Sequence, residues 1–331
     1  YGNALAAVFD VKMRTGNTSR YEHTAQAGVL GLDFASEGPI SRAKGSSYLF
    51  NYRYSTLGLL NDLKLNNTGQ RIKYQDLSFK LNFPTEKAGT FSLWGIGGTD
   101  DTHKEAIKTR SDWKTDIDRV TNSWDTYAGT IGLRHQITAG EKSFVESHAA
   151  FSSTDDRITT DYLSDDASVF TPDSRLKKQN GTLTLATSLT HKLSSSATFK
   201  AGITHKQLFY NYDLSAAQDY IPSTYAHIVN SSGSTNFTEA YGQVKYQLSP
   251  SLLVNLGLRA HHFGLNKEVS LENRAGLAWK ISDKHSLSFG YGKHSQPEDL
   301  NVYMIEVGGV AVNKDLKLSE AHHFVLSYDW M

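Results

Sequence analysis

The chain has 331 residues, with 34 Lys plus Arg against 34 Asp plus Glu, so its formal charge is zero and the basic excess of a nucleic-acid surface is missing. No cysteine is present, which removes disulfide frameworks, thiolate zinc sites and thiol redox chemistry. Apolar residues make up 39% of the sequence but come in short runs such as Ala4–Phe9, so no helix of about 20 apolar residues can cross a bilayer.

Six prolines against 26 glycines, 17 tyrosines and 15 phenylalanines lean the chain towards strands. The chain opens in mid-pattern at Tyr1-Gly2-Asn3-Ala4, with no secretory signal peptide in view. Between Tyr21 and Glu37 the alternation changes parity near Gly28. Ala25 and Ala27 share a face before it, and Leu30, Leu32 and Phe34 share that face after it. A tight hairpin at Gly28 brings the total to fourteen strands; one continuous, bulged strand leaves thirteen.

From Tyr48 to Ser55, Tyr48, Phe50, Tyr52 and Tyr54 alternate with Asn51, Arg53 and Ser55. Successive side chains on a strand point to opposite faces, so one face is aromatic and the other polar. Leu77, Phe79, Leu81 and Phe83 alternate in the same way with Asp76, Ser78, Lys80 and Asn82. The pattern returns at Leu183–Leu189, Leu252–Arg259, Ser286–Tyr291 and His323–Trp330. No comparable stretch carries an apolar stripe of helical period.

A soluble sandwich also alternates, so the connections decide. Short ones (Pro84–Gly89, Thr138–Lys142, Ser194–Ser196, Ser249–Ser251, Ser282–Lys284) alternate along most of the chain with long polar ones (Thr99–Asn122, Ser153–Lys178, Asp213–Thr235, Ser295–Lys317). Sorting by length is the mark of an outer-membrane barrel, with short periplasmic turns on one rim and long extracellular loops on the other. Strands of about 10 to 12 residues, many with an aromatic near an end, suit a tilted crossing of the bilayer. The expected fold is all-β: an incomplete transmembrane antiparallel β-barrel.

The opening Gly2-Asn3-Ala4-Leu5-Ala6-Ala7-Val8-Phe9-Asp10-Val11-Lys12 resembles the last plug strand of TonB-dependent outer-membrane receptors. Asp33-Phe34-Ala35-Ser36-Glu37-Gly38-Pro39-Ile40 resembles the first periplasmic turn of their barrel. Asn51–Leu60, Lys284–Ser288 and Leu316–His323 resemble the branch common in Bacteroidetes, where Glu272-Asn273-Arg274 would usually read Glu-Pro-Arg. The resemblance implies a 22-stranded barrel around a plug, of which this chain is a fragment: residues 1–17 the plug's last strand and linker, and 18–331 the first part of the barrel. It further implies energy-coupled import of a scarce solute, with outer-membrane lipid and the TonB-ExbB-ExbD complex as partners, the latter through an N-terminal region outside this chain. A surface lipoprotein is a further candidate partner, and no nucleic acid is expected. A passive porin or a barrel adhesin is the alternative.

The adjacent pairs His261-His262 and His322-His323 point to opposite faces and cannot share a metal ion. Asp100-Asp101, Asp155-Asp156 and Asp165-Asp166 lack the spacing of a calcium loop. Gly95-Ile96-Gly97-Gly98, placed at a strand end with no helix after it, is no phosphate loop, and no glycine-flanked serine elbow occurs. The expectation is a non-enzyme without metal or cofactor. The polar parity carries Asp33, Glu37, Asn51, Arg53, Asp76, Lys80, Arg134, Glu146, Lys200, Glu239, Lys245, Arg259 and Arg274, which face the lumen. Of these, Arg53, Arg259, Asp33, Asn51 and Arg274 are the candidates for plug contact. Trp113, Trp124, Tyr220 and Tyr225 are the extracellular-loop candidates for touching the solute.

Overall fold

The computed structural model describes residues 12–29, 31–55, 57, 70–217 and 225–330. Fourteen strands form one antiparallel sheet in which each strand pairs with its neighbours in sequence. They are β1 Glu22–Ala27, β2 Leu32–Ser41, β3 Ser46–Tyr54, β4 Gln70–Pro84, β5 Thr90–Lys104, β6 Val120–Ala139 and β7 Ser143–Leu163. Then come β8 Phe170–Lys192, β9 Ala197–Ala217, β10 Tyr225–Ser249, β11 Leu252–Phe263, β12 Glu268–Lys280 and β13 His285–Gln296. After a small hairpin, β14 Glu306–Val307 and β15 Val310–Ala311, the sheet ends with β16 Ser319–Trp330. The sheet is not closed: β1 and β16 are its two ends.

The parity change near Gly28 is a hairpin, so the larger strand count holds. Gly28 N–H donates to Gly31 O (2.9 Å), Gly31 N–H returns the bond to Gly28 O (3.3 Å), and Ala25 pairs with Phe34. The Gly38-Pro39 pair lies within β2, and the first short turn follows it, at residues 42–45. Gly45, whose N–H donates to Arg42 O (3.2 Å), turns the chain at φ 65°. Glycine adopts that left-handed conformation without the steric penalty a Cβ brings.

The long connections are shorter than the sequence suggests. β6 to β10 run 20, 21, 23, 21 and 25 residues, so the β7–β8 connection shrinks to residues 164–169. A tilted strand needs only about 9–11 residues to cross the hydrocarbon, so each of these strands continues well beyond it. Past the membrane both faces of a strand meet water, the apolar alternation stops and only the hydrogen-bonded ladder continues. Sequence patterning therefore reads those extensions as loop. Gly95-Ile96-Gly97-Gly98 is likewise inside β5, not at its end.

Cross-strand register gathers the apolar parity onto one face. Phe79, Gly95, Ile131 and Phe151 lie side by side across β4 to β7, and Leu189, Ala201, Gly242 and Leu258 across β8 to β11. Many of its large side chains, among them Leu185, Leu258, Phe289 and Leu326, are exposed, which suits hydrocarbon as the surrounding solvent. The polar parity faces the other way. Residues 13–17 and the β13–β16 connection both fold over that second face, which marks it as the interior.

Candidate functional site

Among the described residues, three polar groupings of the interior wall involve the candidate residues, each built from strands that deliver one side chain every second residue. The first receives the segment that enters β1. Arg14 places both terminal guanidinium nitrogens on the Glu37 carboxylate at 2.5 Å, and Asn17 N–H adds a third bond at 2.8 Å. Lys80 Nζ donates to Met13 O at 2.9 Å. Gly16 lies so close to the β3 backbone that a Cβ would sit 1.9 Å from Tyr48 O. Any other residue would push the segment off the wall. The Asn17 side-chain oxygen accepts from Ser19 N–H (2.9 Å) and Arg20 N–H (3.1 Å), turning the chain towards β1.

The second grouping spans β2 to β7. Asn51 donates to Asp33 at 3.2 Å, and Arg53 donates to Asp76 at 2.7 Å while its guanidinium stands 5.4 Å over the Tyr74 ring. Glu146 collects Arg134, Gln136 (2.8 Å) and His148 (2.8 Å). Lys200 on β9 and Lys245 on β10 continue the same parity.

The third grouping is buried. Glu272, with no exposed surface, accepts from Arg259 Nη1 (2.7 Å), Arg274 Nη2 (2.8 Å) and both Ser295 N–H and Ser295 Oγ (2.9 Å each). Arg259 also donates to Glu239 through Nε (2.9 Å). Above it the His261 ring lies against Phe237, tilted by 33° (4.9 Å between centroids), and Phe263 packs on Tyr303 of the β13–β16 connection at 5.4 Å. Tyr303, Met304 and Leu318 form a buried apolar cluster with Tyr212, Val229, Phe237 and Phe263, which roofs the ionic group. Lys178–Asp299 (3.0 Å) and Asn266 Nδ2 to Leu316 O (2.7 Å) tie the connection down at its ends.

The five plug-contact candidates therefore all lie on the interior wall but in two places, Asp33, Asn51 and Arg53 on one side, Arg259 and Arg274 on the other. Of the outer candidates, Trp113 lies in the β5–β6 connection, its indole N–H bonded to Ile107 O at 2.5 Å. Trp124 is a β6 residue on the interior parity, paired with Thr102 and Ile158. Tyr225 opens β10 and pairs with Ala217 on the outer parity. Tyr220 lies outside the described residues. Arg14, Gly16 and Tyr303 were not legible as site residues, because their partners are distant in sequence. Glu272 was findable, since it shares strand parity with Arg274.

The loops are locally ordered by carboxylates. Asp118 accepts from Lys114 N–H (2.7 Å) and Thr115 N–H (2.8 Å), which holds its carboxyl below the usual range. Asp166 accepts from Ser164 Oγ (2.5 Å) and Ser168 Oγ (2.6 Å), which hold it at about 2. Among the described residues no group of His, Asp or Glu is disposed to hold a metal ion. His261 pairs with Glu239 and His262 with Thr238, successive positions on opposite faces.

Residues 4–331 match the family model described as TonB dependent receptor-like, beta-barrel. No curated protein matches the sequence. Among solved structures, the siderophore receptor PiuA from Acinetobacter baumannii superposes with a TM-score of 0.67 at 13% identity, covering 96% of this chain and 55% of that one. The pyoverdine outer-membrane receptor FpvA from Pseudomonas aeruginosa gives 0.68 at 12% identity, covering 95% and 51%. The ferric-catecholate import receptor Fiu from Escherichia coli K12 gives 0.64 at 11%, covering 96% and 56%. The chain spans about half the length of these structures.

Proposed function

The chain belongs to the TonB-dependent receptor β-barrel family of the outer membrane, and on that premise we propose that it forms the wall of an energy-coupled importer. In this reading the interior wall surrounds a plug that the segment before Arg14 belongs to. A scarce solute binds from outside and moves inward with energy relayed by the TonB-ExbB-ExbD complex. The observation that carries the reading is the anchoring of residues 13–17 on the interior face of β2 to β4. A chain that enters its first strand from inside the barrel comes from a segment in the lumen; a simple porin has no need of one.

Residues 1–17 are accordingly proposed as the end of the plug and its linker, and the rest as barrel. Asp33, Asn51 and Arg53, beside the anchor, are the residues proposed to touch the plug. Arg259 and Arg274 are engaged by Glu239 and Glu272, and they are proposed to present that pre-formed ionic group to it. Trp124, on the interior parity near the long-loop rim, is the best placed of the outer aromatics to meet an entering solute. The names of the structural neighbours make a ferric siderophore the first solute to try.

The test is uptake of a panel of ferric siderophores by cells carrying the whole gene product, with TonB intact or deleted. Uptake that needs both the protein and TonB is the expected result. Flux that persists without TonB would replace the importer with a passive pore.

A further inference from the structure

Between β4 and β7 the apolar outer face is interrupted by a groove of about 610 Å³, within the roughly 300–1,000 Å³ range of small-ligand pockets. Its long walls are Leu77 and Phe79 on one side and Ile131 and Phe151 on the other. Its bed is peptide backbone. Gly97 and Gly129 face each other in register, and the Phe79 ring lies across Gly95. At one end the Tyr52 hydroxyl donates to Gln75 Oε1 (2.8 Å), so the apolar channel finishes at a polar lip.

We propose that this groove is a discrete binding site for one acyl chain of a membrane lipid. The proposal rests on reading this face as the lipid-facing one. The groove is continuous with the surface that carries Leu93, Leu133, Leu183 and Leu185 on the same parity, so it opens to hydrocarbon. Water in so apolar a channel would lack the two to four polar partners it needs, and an empty channel would forfeit dispersion contacts along its lining. A methylene chain makes those contacts and needs no hydrogen bonds. The polar lip marks where the chain gives way to its ester. Here the backbone bed of Gly97 and Gly129 leaves room for a chain to sink in.

The experiment uses the whole protein in dimyristoyl phosphatidylcholine vesicles doped with a phosphatidylcholine bearing a terminal diazirine on one acyl chain. After irradiation, labelled positions are mapped by mass spectrometry. Label several-fold more frequent at Leu77, Ile131 and Phe151 than at Leu185 and Leu256 is the expected pattern. It should fall to the level of those controls in Gly129→Leu, whose Cβ meets nothing closer than 3.6 Å and whose side chain would fill the channel. Uniform labelling of the band in the unmodified protein overturns the site and leaves the membrane reading intact. Absence of label from Leu185 and Leu256 as well would overturn the lipid-facing assignment itself.

Discussion

Arg259 and Glu272 show what a buried charge requires. With Arg259 4% exposed and Glu272 fully enclosed, removing Arg259 leaves Glu272 with Arg274 as its remaining guanidinium and takes from Glu239 its ion-pair partner, in a poorly solvated place. Arg259→Ala is expected to cost about 3–5 kcal/mol, read as a lower urea midpoint of the folded barrel in detergent. Replacing Arg259 and Glu272 together by apolar residues should cost less than the sum of the single changes; strict additivity would mean that the pair is not coupled. Glu37 acts at the other side of the wall. Its carboxylate takes three bonds from residues 14–17, so Glu37→Ala should free that segment and speed trypsin cleavage after Arg14 and Arg20. Unchanged cleavage would show that the Gly16 and Lys80 contacts hold the segment by themselves. In the β7–β8 loop, Asp166 is lowered from 3.8 to about 2 by its serine partners. A lowered carboxyl contributes order that is fully present above the ordinary value and is lost as pH falls through the lowered one. The Ser168 amide should therefore keep its loop environment at pH 4 and lose it near pH 2, as followed by NMR.

At the scale of elements, ladder and side-chain pattern come apart. The long strands β6 to β10 keep their pairing through stretches such as Ser152–Asp161, where Thr, Ser and Asp occupy both faces. Patterning found the portion inside the membrane because one face there must be apolar. It passed over the extensions because water tolerates polar residues on either side. The β13–β16 connection is the opposite case. Half of residues 297–318 are apolar, without a strand period to mark them, and they supply an inward anchor in which Tyr303 loses all its exposure against Phe263. Tyr303→Ala should cost about 3–5 kcal/mol of local packing. The connection should then open to trypsin at Lys314 and Lys317 while the strands stay protected. Cleavage no faster than in the unmodified protein would place the hold in the Lys178 and Asn266 ties instead.

For the whole molecule the decisive property is which face meets hydrocarbon. Leu185→Arg puts a guanidinium on the outer parity and should cost about 2–4 kcal/mol if it lies near the midplane, less towards an interface. Thr182→Arg, on the interior parity of the same strand, should be tolerated. Folding yield into vesicles measures both, and equal penalties would contradict the sidedness. Read alone, the sequence determined the class of fold, the short-turn rim and the parity of each membrane-crossing strand. All three follow from a two-residue period imposed by a medium that cannot hydrogen-bond. It left the Gly28 hairpin undecided, because a hairpin and a bulge shift parity alike and only the Gly28–Gly31 bonds separate them. Tertiary structure alone decided the Arg14–Glu37 anchor, the Tyr303 roof, the buried Glu272 hub and the glycine-bedded groove. Each joins residues from different strands or loops, and strand periodicity carries no information about contacts made across the barrel wall or over it.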